Sequence, residues 1–271
     1  MSQDGTEQHL RVDHDGPVAT VTLCRPEKLN AWSWESARQL GAVADGLRFD
    51  DSVRSVVLRA EGRAFCAGVD LGMPSDRITG RSPAEKVRNY YERFRWVHER
   101  FRVFSDLPQP TVAAIQGYCL GAGFEIALMC DLRIAAADAQ FALPEAQVGV
   151  SIDAGGDLRL AHEIGAGNAK LLALTGRRID AATALRLGLV QEVVDRDRLD
   201  ETALALAHEI AANAPLAVQG IKRTINGFVE RGFTEALRFE AMSAAVEFVS
   251  DDMTIGYAAK AKREAAEFEG K

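Results

Sequence analysis

The chain has 271 residues, 47% hydrophobic, 26% charged and 7% aromatic, an ordinary globular composition at a length that suits one large domain. A formal net charge of -7 argues against general affinity for nucleic acid, while leaving room for local basic clusters to hold a phosphorylated small molecule. The richest apolar run, residues 111–130, is interrupted by Glu125 and by glycines, so no membrane span is expected.

The first residues, MSQDGTEQHL, lack a basic segment followed by an apolar one, which makes the cytoplasm the expected location. Cys24, Cys66, Cys119 and Cys130 are far apart and form no CxxC, the pattern of reduced, buried thiols and not of a disulfide scaffold or zinc site. Alternation over residues 9–14 and 18–23, either side of Asp15-Gly16-Pro17, predicts a β-hairpin. Asn30 is read as the N-cap of a helix reaching about residue 49, and the apolar run 55–59 as a buried strand.

The glycine-rich stretch 62–72 reads as a loop after that strand. Ser82-Pro83 has the form of an N-cap and first helical residue, opening a helix whose Val87, Tyr90, Phe94, Val97, Phe101 and Phe104 recur at helical spacing until Pro108 and Pro110 end it. A strand over 111–115, a glycine-rich helix from about 122 to 129, a strand over 132–136 and a short one over 140–143 follow. Beyond Pro144 the pattern turns helical, over 154–164, 168–175, 180–187, 199–213, 216–231 and 233–249, ending in a basic stretch near 257–268. The class is α/β passing into a helical C-terminal third, without repeats or a long linker.

Glu125 is the most informative residue, because Phe124, Ile126, Leu128 and Met129 around it predict apolar surroundings. Burial raises a carboxylate's pKa while a nearby helix N-terminus favours the anion, a competition that poises the group for acid-base work. The plainer reading is a glutamate facing water or paired with an arginine. Gly121-Ala122-Gly123 at a helix start leaves backbone N–H groups without intrahelical partners, and the small-residue loop Cys66-Ala67-Gly68-Val69-Asp70 follows a strand and is able to aim another N–H at the same point. From spacing alone the commoner reading of that loop is an ordinary tight turn. Glu145 follows in FALPEAQVGV, where Pro144 fixes the approach of the chain, and would supply a second acid or base. Asp153, ahead of a glycine pair, reads on its own as an N-cap.

Four segments, FCAGVDL (65–71), IQGYCLGAGFEIALMCDLRIAA (115–136), FALPEAQVGV (141–150) and LTGRRIDAATALRLGLVQEVV (174–194), together resemble the enoyl-CoA hydratase/isomerase family, the crotonase superfamily. Similarity extends from RPEKLNA (25–31) to the C-terminal helices. The resemblance implies a crotonase-like (ClpP/crotonase) spiral of repeated β-β-α units over residues 1–198, carrying the acyl-CoA site, and a C-terminal helical oligomerisation region over 199–271. It further implies a homotrimer or dimer of trimers, an acyl-CoA thioester as the partner, and no metal or redox cofactor, coenzyme A entering as part of the substrate. By the same resemblance the thioester oxygen lies between the N–H groups of Val69 and Ala122, Glu125 chiefly activates water, and Glu145 exchanges the proton at the α carbon. Lys28, Ala67, Gly68, Asp70, Leu71 and Gly121 would contact coenzyme A or substrate, with Lys222 and Lys260 as further candidates for its phosphates.

The chain departs from the family's hydratases at Asp153, where a glycine is common. Dienoyl-CoA isomerases of the family carry aspartate there and use it with the carboxylate matching Glu145, but usually have Asp in place of Glu125. The family's aryl-CoA dehalogenases also hold an aspartate there, yet have an aromatic residue where this chain has Glu145. The C-terminal run AKAKREAAEF (259–268) lacks the aromatic and proline often found in the family.

Hydration of a 2-enoyl-CoA by Glu125 and Glu145, with Asp153 as auxiliary acid, is the expected activity. Double-bond isomerisation through Glu145 and Asp153 is the alternative, and non-catalytic acyl-CoA binding a remote one, since it predicts neutral residues at both glutamate positions. GVSID (149–153) breaks the G-x-S-x-G pattern of serine hydrolases, and Gly165-Ala166-Gly167 follows a helix, unlike a dinucleotide fingerprint. His9, His14, His98, His162 and His208 have no metal-ligand spacing and read as surface or packed histidines. The arginines of the helix opening at Ser82 read as its solvent face and not as a nucleic-acid surface.

Overall fold

A computed structural model describes residues 7–70 and 80–271, without the side chains of Glu230, Arg231 and Phe233. Strands β1 (Leu10–Asp15) and β2 (Val18–Leu23) form the expected hairpin, antiparallel with Leu10 opposite Leu23 and Asp15 opposite Val18. Gly16 supplies the positive φ of 55° that the tight turn needs. Every residue of β2 is buried. That continuous apolar burial marks a strand covered on both faces.

Helix α1 (Trp34–Arg48) starts later than expected. Its N-cap is Ser33, whose hydroxyl accepts from the Ser36 N–H while the Ser36 hydroxyl accepts from the Ser33 N–H, a reciprocal capping box. Asn30 is not the cap. It adopts φ 53°, and its side chain accepts from the Arg25 N–H at 2.8 Å and donates to the Glu61 and Ala64 carbonyls at 2.9 Å each. Asparagine tolerates this left-handed backbone and offers both a donor and an acceptor, so it locks the turn before the helix instead of opening the helix.

β3 (Ser55–Ala60) pairs parallel with β2, and α2 (Pro83–Ser105) opens at Ser82, whose hydroxyl accepts from the Glu85 N–H. Next come β4 (Thr111–Ile115), β5 (Tyr118–Leu120), α3 (Ala122–Ala127), β6 (Leu132–Ala136) and β7 (Gln140–Ala142). Then follow α4 (Gly156–Thr175), β8 (Ile179–Asp180), α5 (Ala181–Arg186), β9 (Glu192–Val194) and α6 (Leu199–Ala211). Three strands, β5, β8 and β9, were not expected; each has three residues or fewer, too short for an alternation to show. Gly165, at φ 77° and ψ 151°, breaks α4 into the two helical runs that the pattern predicts.

A six-stranded sheet runs in the order β1-β2-β3-β4-β6-β9, and a second sheet of three strands in the order β5-β7-β8. Successive turns of the chain (β1-β2-α1, β4-β5-α3, β6-β7-α4) each repeat two strands and a helix, and β3 is followed by Cys66, bridged to Cys119, before α2. On one face of the large sheet α1 buries Ala37, Leu40, Ala44 and Leu47, joined by Phe101 and Phe104 of α2. On the other, Leu199, Ala203, Ala207 and Ala211 of α6 lie on Val18, Val57, Val112 and Ile134. The small side chains at this interface let helix and sheet approach closely.

α7 (Pro215–Arg231) and α8 (Phe233–Glu247) pack chiefly on each other, followed by α9 (Asp251–Lys262). They leave Ile221, Ile225, Phe228, Leu237, Met242 and Val246 exposed. Among the described residues no helix is long and apolar enough to cross a membrane.

Candidate active site

The loop from Cys66 to Asp70 is stitched on both sides. Cys66 donates to the Tyr118 carbonyl at 2.9 Å and accepts from the Leu120 N–H at 3.0 Å, which lays it along β5. On the other side the Trp32 N–H donates to Gly68 O at 2.7 Å and the Asp70 N–H to Trp32 O at 2.8 Å. In this parallel-bridge pattern Val69, between them, turns its own N–H away from Trp32. Neither the Val69 nor the Ala122 N–H has a hydrogen-bond partner among the described residues.

Two glycines allow the approach. Gly68 has φ 104°, and Gly121 has φ 51° and ψ -126°. A Cβ on Gly121 would stand 3.0 Å from Glu145 Oε1 and 3.7 Å from Gly68 Cα, so the two loops touch beside a carboxylate. The arrangement offers unpaired N–H donors next to an acid, the parts needed to stabilise an oxyanion as it forms.

Glu125 lies in the first turn of α3 and is 2% exposed. Its Oε1 accepts from the Ala154 N–H at 2.9 Å and the Gly156 N–H at 3.1 Å. The residue before α4 is Gly155, at φ 82° and with no side chain to cap it, so the Glu125 carboxylate occupies the helix N-terminus from across the core. Burial pushes the Glu125 pKa up to about 7 against these donors, with the charges of Asp153 and Glu145 adding to the rise.

Glu145 opens a short 3-10 turn, Glu145–Val148, after Pro144. The Gln147 amide fastens this turn to the end of α4 by donating to the Thr175 carbonyl at 2.9 Å. Glu145 Oε2 is buried and has no hydrogen-bond partner among the described residues. Burial raises its pKa, and the Asp153 charge raises it further. Desolvation raises Asp153 as well, although that residue is more exposed than either glutamate, with His98 pulling the other way. Because Glu125 takes the backbone donors of Ala154 and Gly156, Asp153 is not the cap of α4, and it acts electrostatically on both glutamates.

The other expected contacts divide. Ala67 donates to Leu29 O at 3.1 Å and so holds the loop edge. The Asp70 carboxylate meets Arg25 Nη2 at 3.1 Å and Lys28 Nζ at 3.7 Å. Leu71 lies outside the described residues. Lys28 is half exposed, whereas Lys222 is 9% exposed, pairs with Asp131 at 2.7 Å and donates to the Gln109 carbonyl at 3.0 Å, which commits it to tying α7 to the body of the protein. Lys260 lies on α9.

Two residues hold the site together in ways the sequence does not show: Arg25, which it does not single out, and His98, which reads only as a surface or packed histidine. Arg25 is 5% exposed and links Ala31 O, Glu7 and Asp70, bracing the loop that carries Val69. His98 hydrogen-bonds the Asp153 carbonyl through Nε2. A faint signal existed for His98: it stands four residues after Phe94 and three before Phe101, at helical spacing along α2, although the residue itself is exposed.

Residues 13–271 match the family model described as enoyl-CoA hydratase/isomerase. A probable enoyl-CoA hydratase from Rhizobium meliloti is 37% identical over 96% of this chain and 97% of that protein. A mitochondrial Delta(3,5)-Delta(2,4)-dienoyl-CoA isomerase from Dictyostelium discoideum is 35% identical over 91% of this chain and 86% of its own. The crystal structure of an enoyl-CoA hydratase from Bacillus anthracis superposes with a TM-score of 0.89 at 32% identity, covering 97% of this chain and 100% of that one.

Proposed function

The chain belongs to the enoyl-CoA hydratase/isomerase family, and from that premise we propose that it adds water across the double bond of a 2-enoyl-CoA thioester. The thioester oxygen lies between the Val69 and Ala122 N–H groups, which stabilise the enolate that develops there. One such donor contributes about 2.7–4 kcal/mol of barrier lowering. Water is held between the carboxylates. Glu125 takes a proton from it as the oxygen bonds to the β carbon, and protonated Glu145 delivers a proton to the α carbon. The two acids then share one proton between them and reset by exchange. No metal or redox group has a part in these steps.

The observation that carries this reading is the pair of carboxylates with raised pKa values beside the Gly68–Gly121 contact, Glu125 buried and Glu145 half-buried with an unpartnered, buried Oε2. Burial together with mutual repulsion favours a pair holding a single proton, so that one member is acid while the other is base. Non-catalytic binding would have no use for such a pair.

A second reading, isomerisation of a dienoyl-CoA by proton transfer through Glu145 and Asp153, is favoured by the charge coupling of Asp153 to both glutamates and by its absence from the α4 cap. The exposed apolar residues of α7 and α8 support assembly into trimers.

Purified protein offered 2-enoyl-CoA and 3,5-dienoyl-CoA, with products identified by mass, tests both readings. A product heavier by one water, lost in Glu145→Gln and retained in Asp153→Asn, is expected. Mass-neutral conversion of the dienoyl-CoA that requires Asp153 would replace the first reading with the second.

A further inference from the structure

We propose that His98 is a positioning residue for the acid cluster, acting through the peptide that joins Asp153 to Ala154. The carbonyl of that peptide accepts from His98 Nε2, and its N–H, on Ala154, donates to Glu125 Oε1 at 2.9 Å. A single rigid plane is therefore gripped at one end by α2 and at the other by a candidate catalytic carboxylate. A carbonyl oxygen only accepts, so His98 Nε2 carries the hydrogen in this contact. Donation at the carbonyl polarises the amide and strengthens the N–H that faces Glu125.

The segment needs such a grip. Gly149 and Gly155, at φ 81° and 82°, stand at either end of it, and the backbone between has no regular structure and bends only at Ala154. From outside, its polar ties among the described residues are Val150 N–H to the Glu145 carbonyl at 3.2 Å, the Glu125 bond to Ala154, and His98. Asp153, whose charge acts on both glutamates, belongs to the gripped peptide, so the same bond restrains its backbone.

α2 is suited to be the anchor. Phe101, one turn beyond His98, packs on Trp32 with ring centroids 5.7 Å apart, and Trp32 is the bridge partner of Val69. At the end of the helix the Ser105 hydroxyl accepts from Arg159 of α4 at 3.4 Å. One helix thus braces both the oxyanion side and the acid side of the site.

The inference rests on the acid-base reading of Glu125, and two measurements separate them. Amide exchange over residues 149–157 in His98→Leu should quicken by roughly tenfold, the scale of one lost hydrogen bond, with β4 unchanged as the internal control. His98→Gln, which keeps an N–H at similar reach, should restore protection. In turnover, His98→Leu should lower kcat with little change in KM, and the acid limb of the rate profile, set by ionisation of the base Glu125 beside Glu145 and Asp153, should move to higher pH by roughly half a unit. Unchanged exchange in His98→Leu, or no rescue by His98→Gln, overturns the role of His98 whether or not the enzyme turns over. Failure of the wild type to convert either thioester, with exchange altered as expected, overturns the function and leaves the positioning contact standing.

Discussion

Replacing Glu125 by Gln should stabilise the protein at neutral and higher pH even as it disables the site. The folded carboxyl titrates near 7 against an ordinary value of 4.5, chiefly because it is buried. Raised in the folded state, it contributes its full stability below the unfolded pKa and loses it as pH climbs from 4.5 through about 7, because the unfolded chain releases the proton first. The whole shift corresponds to about 3 kcal/mol of destabilisation once the pH is well above the folded value. Between about pH 5 and about pH 8 the wild type should therefore lose roughly 2–3 kcal/mol from this group alone. Glutamine keeps an oxygen to accept from the Ala154 and Gly156 N–H groups and carries no charge to desolvate. Urea unfolding of wild type and Glu125→Gln at these two pH values, at one protomer concentration, measures the effect as a difference of differences. The variant should gain on the wild type by about 2 kcal/mol at the higher pH relative to the lower. Parallel curves for the two proteins would refute the claim that Glu125 is held in an unfavourable ionised state.

A methyl group at Gly156 would sit 2.6 Å from Glu125 Cγ, so Gly156→Ala should displace the carboxylate and lower kcat on the order of a hundredfold while the fold, followed by circular dichroism, persists. Arg25→Met strips a buried guanidinium from Asp70, and unfolding in urea should show a loss of about 3 kcal/mol together with a lower kcat from a loosened Val69 loop. Arg25→Lys should recover little of either, since an ammonium does not span Ala31 O, Glu7 and Asp70 as the planar fork does. Phe228→Glu combined with Met242→Glu places charge on the exposed faces of α7 and α8, and sedimentation velocity should show a smaller particle if those faces join subunits. An unchanged sedimentation coefficient would locate the contact elsewhere.

Long elements were legible in the sequence because their apolar periods are long: the hairpin, α2 and the buried strands β3, β4 and β6 all stand within a residue or two of expectation. Asn30 shows how that reading fails. A residue type that caps helices also bridges loops, and its actual partners, the Glu61 and Ala64 carbonyls, are more than thirty residues away. Glu125 announced itself by a charge set among apolar neighbours, but the helix end that receives it is α4 and not its own, a fact of tertiary packing. His98 and Asp153 are likewise 55 residues apart, with β4 to β7 between them, and no local pattern joins them. Lys222 appeared as a free cation and proved to be a buried tie to Asp131.

The large sheet has a strand order that rises steadily with position in the chain. A polypeptide leaving the ribosome N-terminus first can lay each new strand against the one before it, always extending a single growing edge and never waiting for a later strand to be inserted between earlier ones. Chemistry matures late in that sequence. Glu125 is synthesised well before the amides of Ala154 and Gly156 that receive it, so a nascent chain stalled before α4 would hold an acid without these two donors.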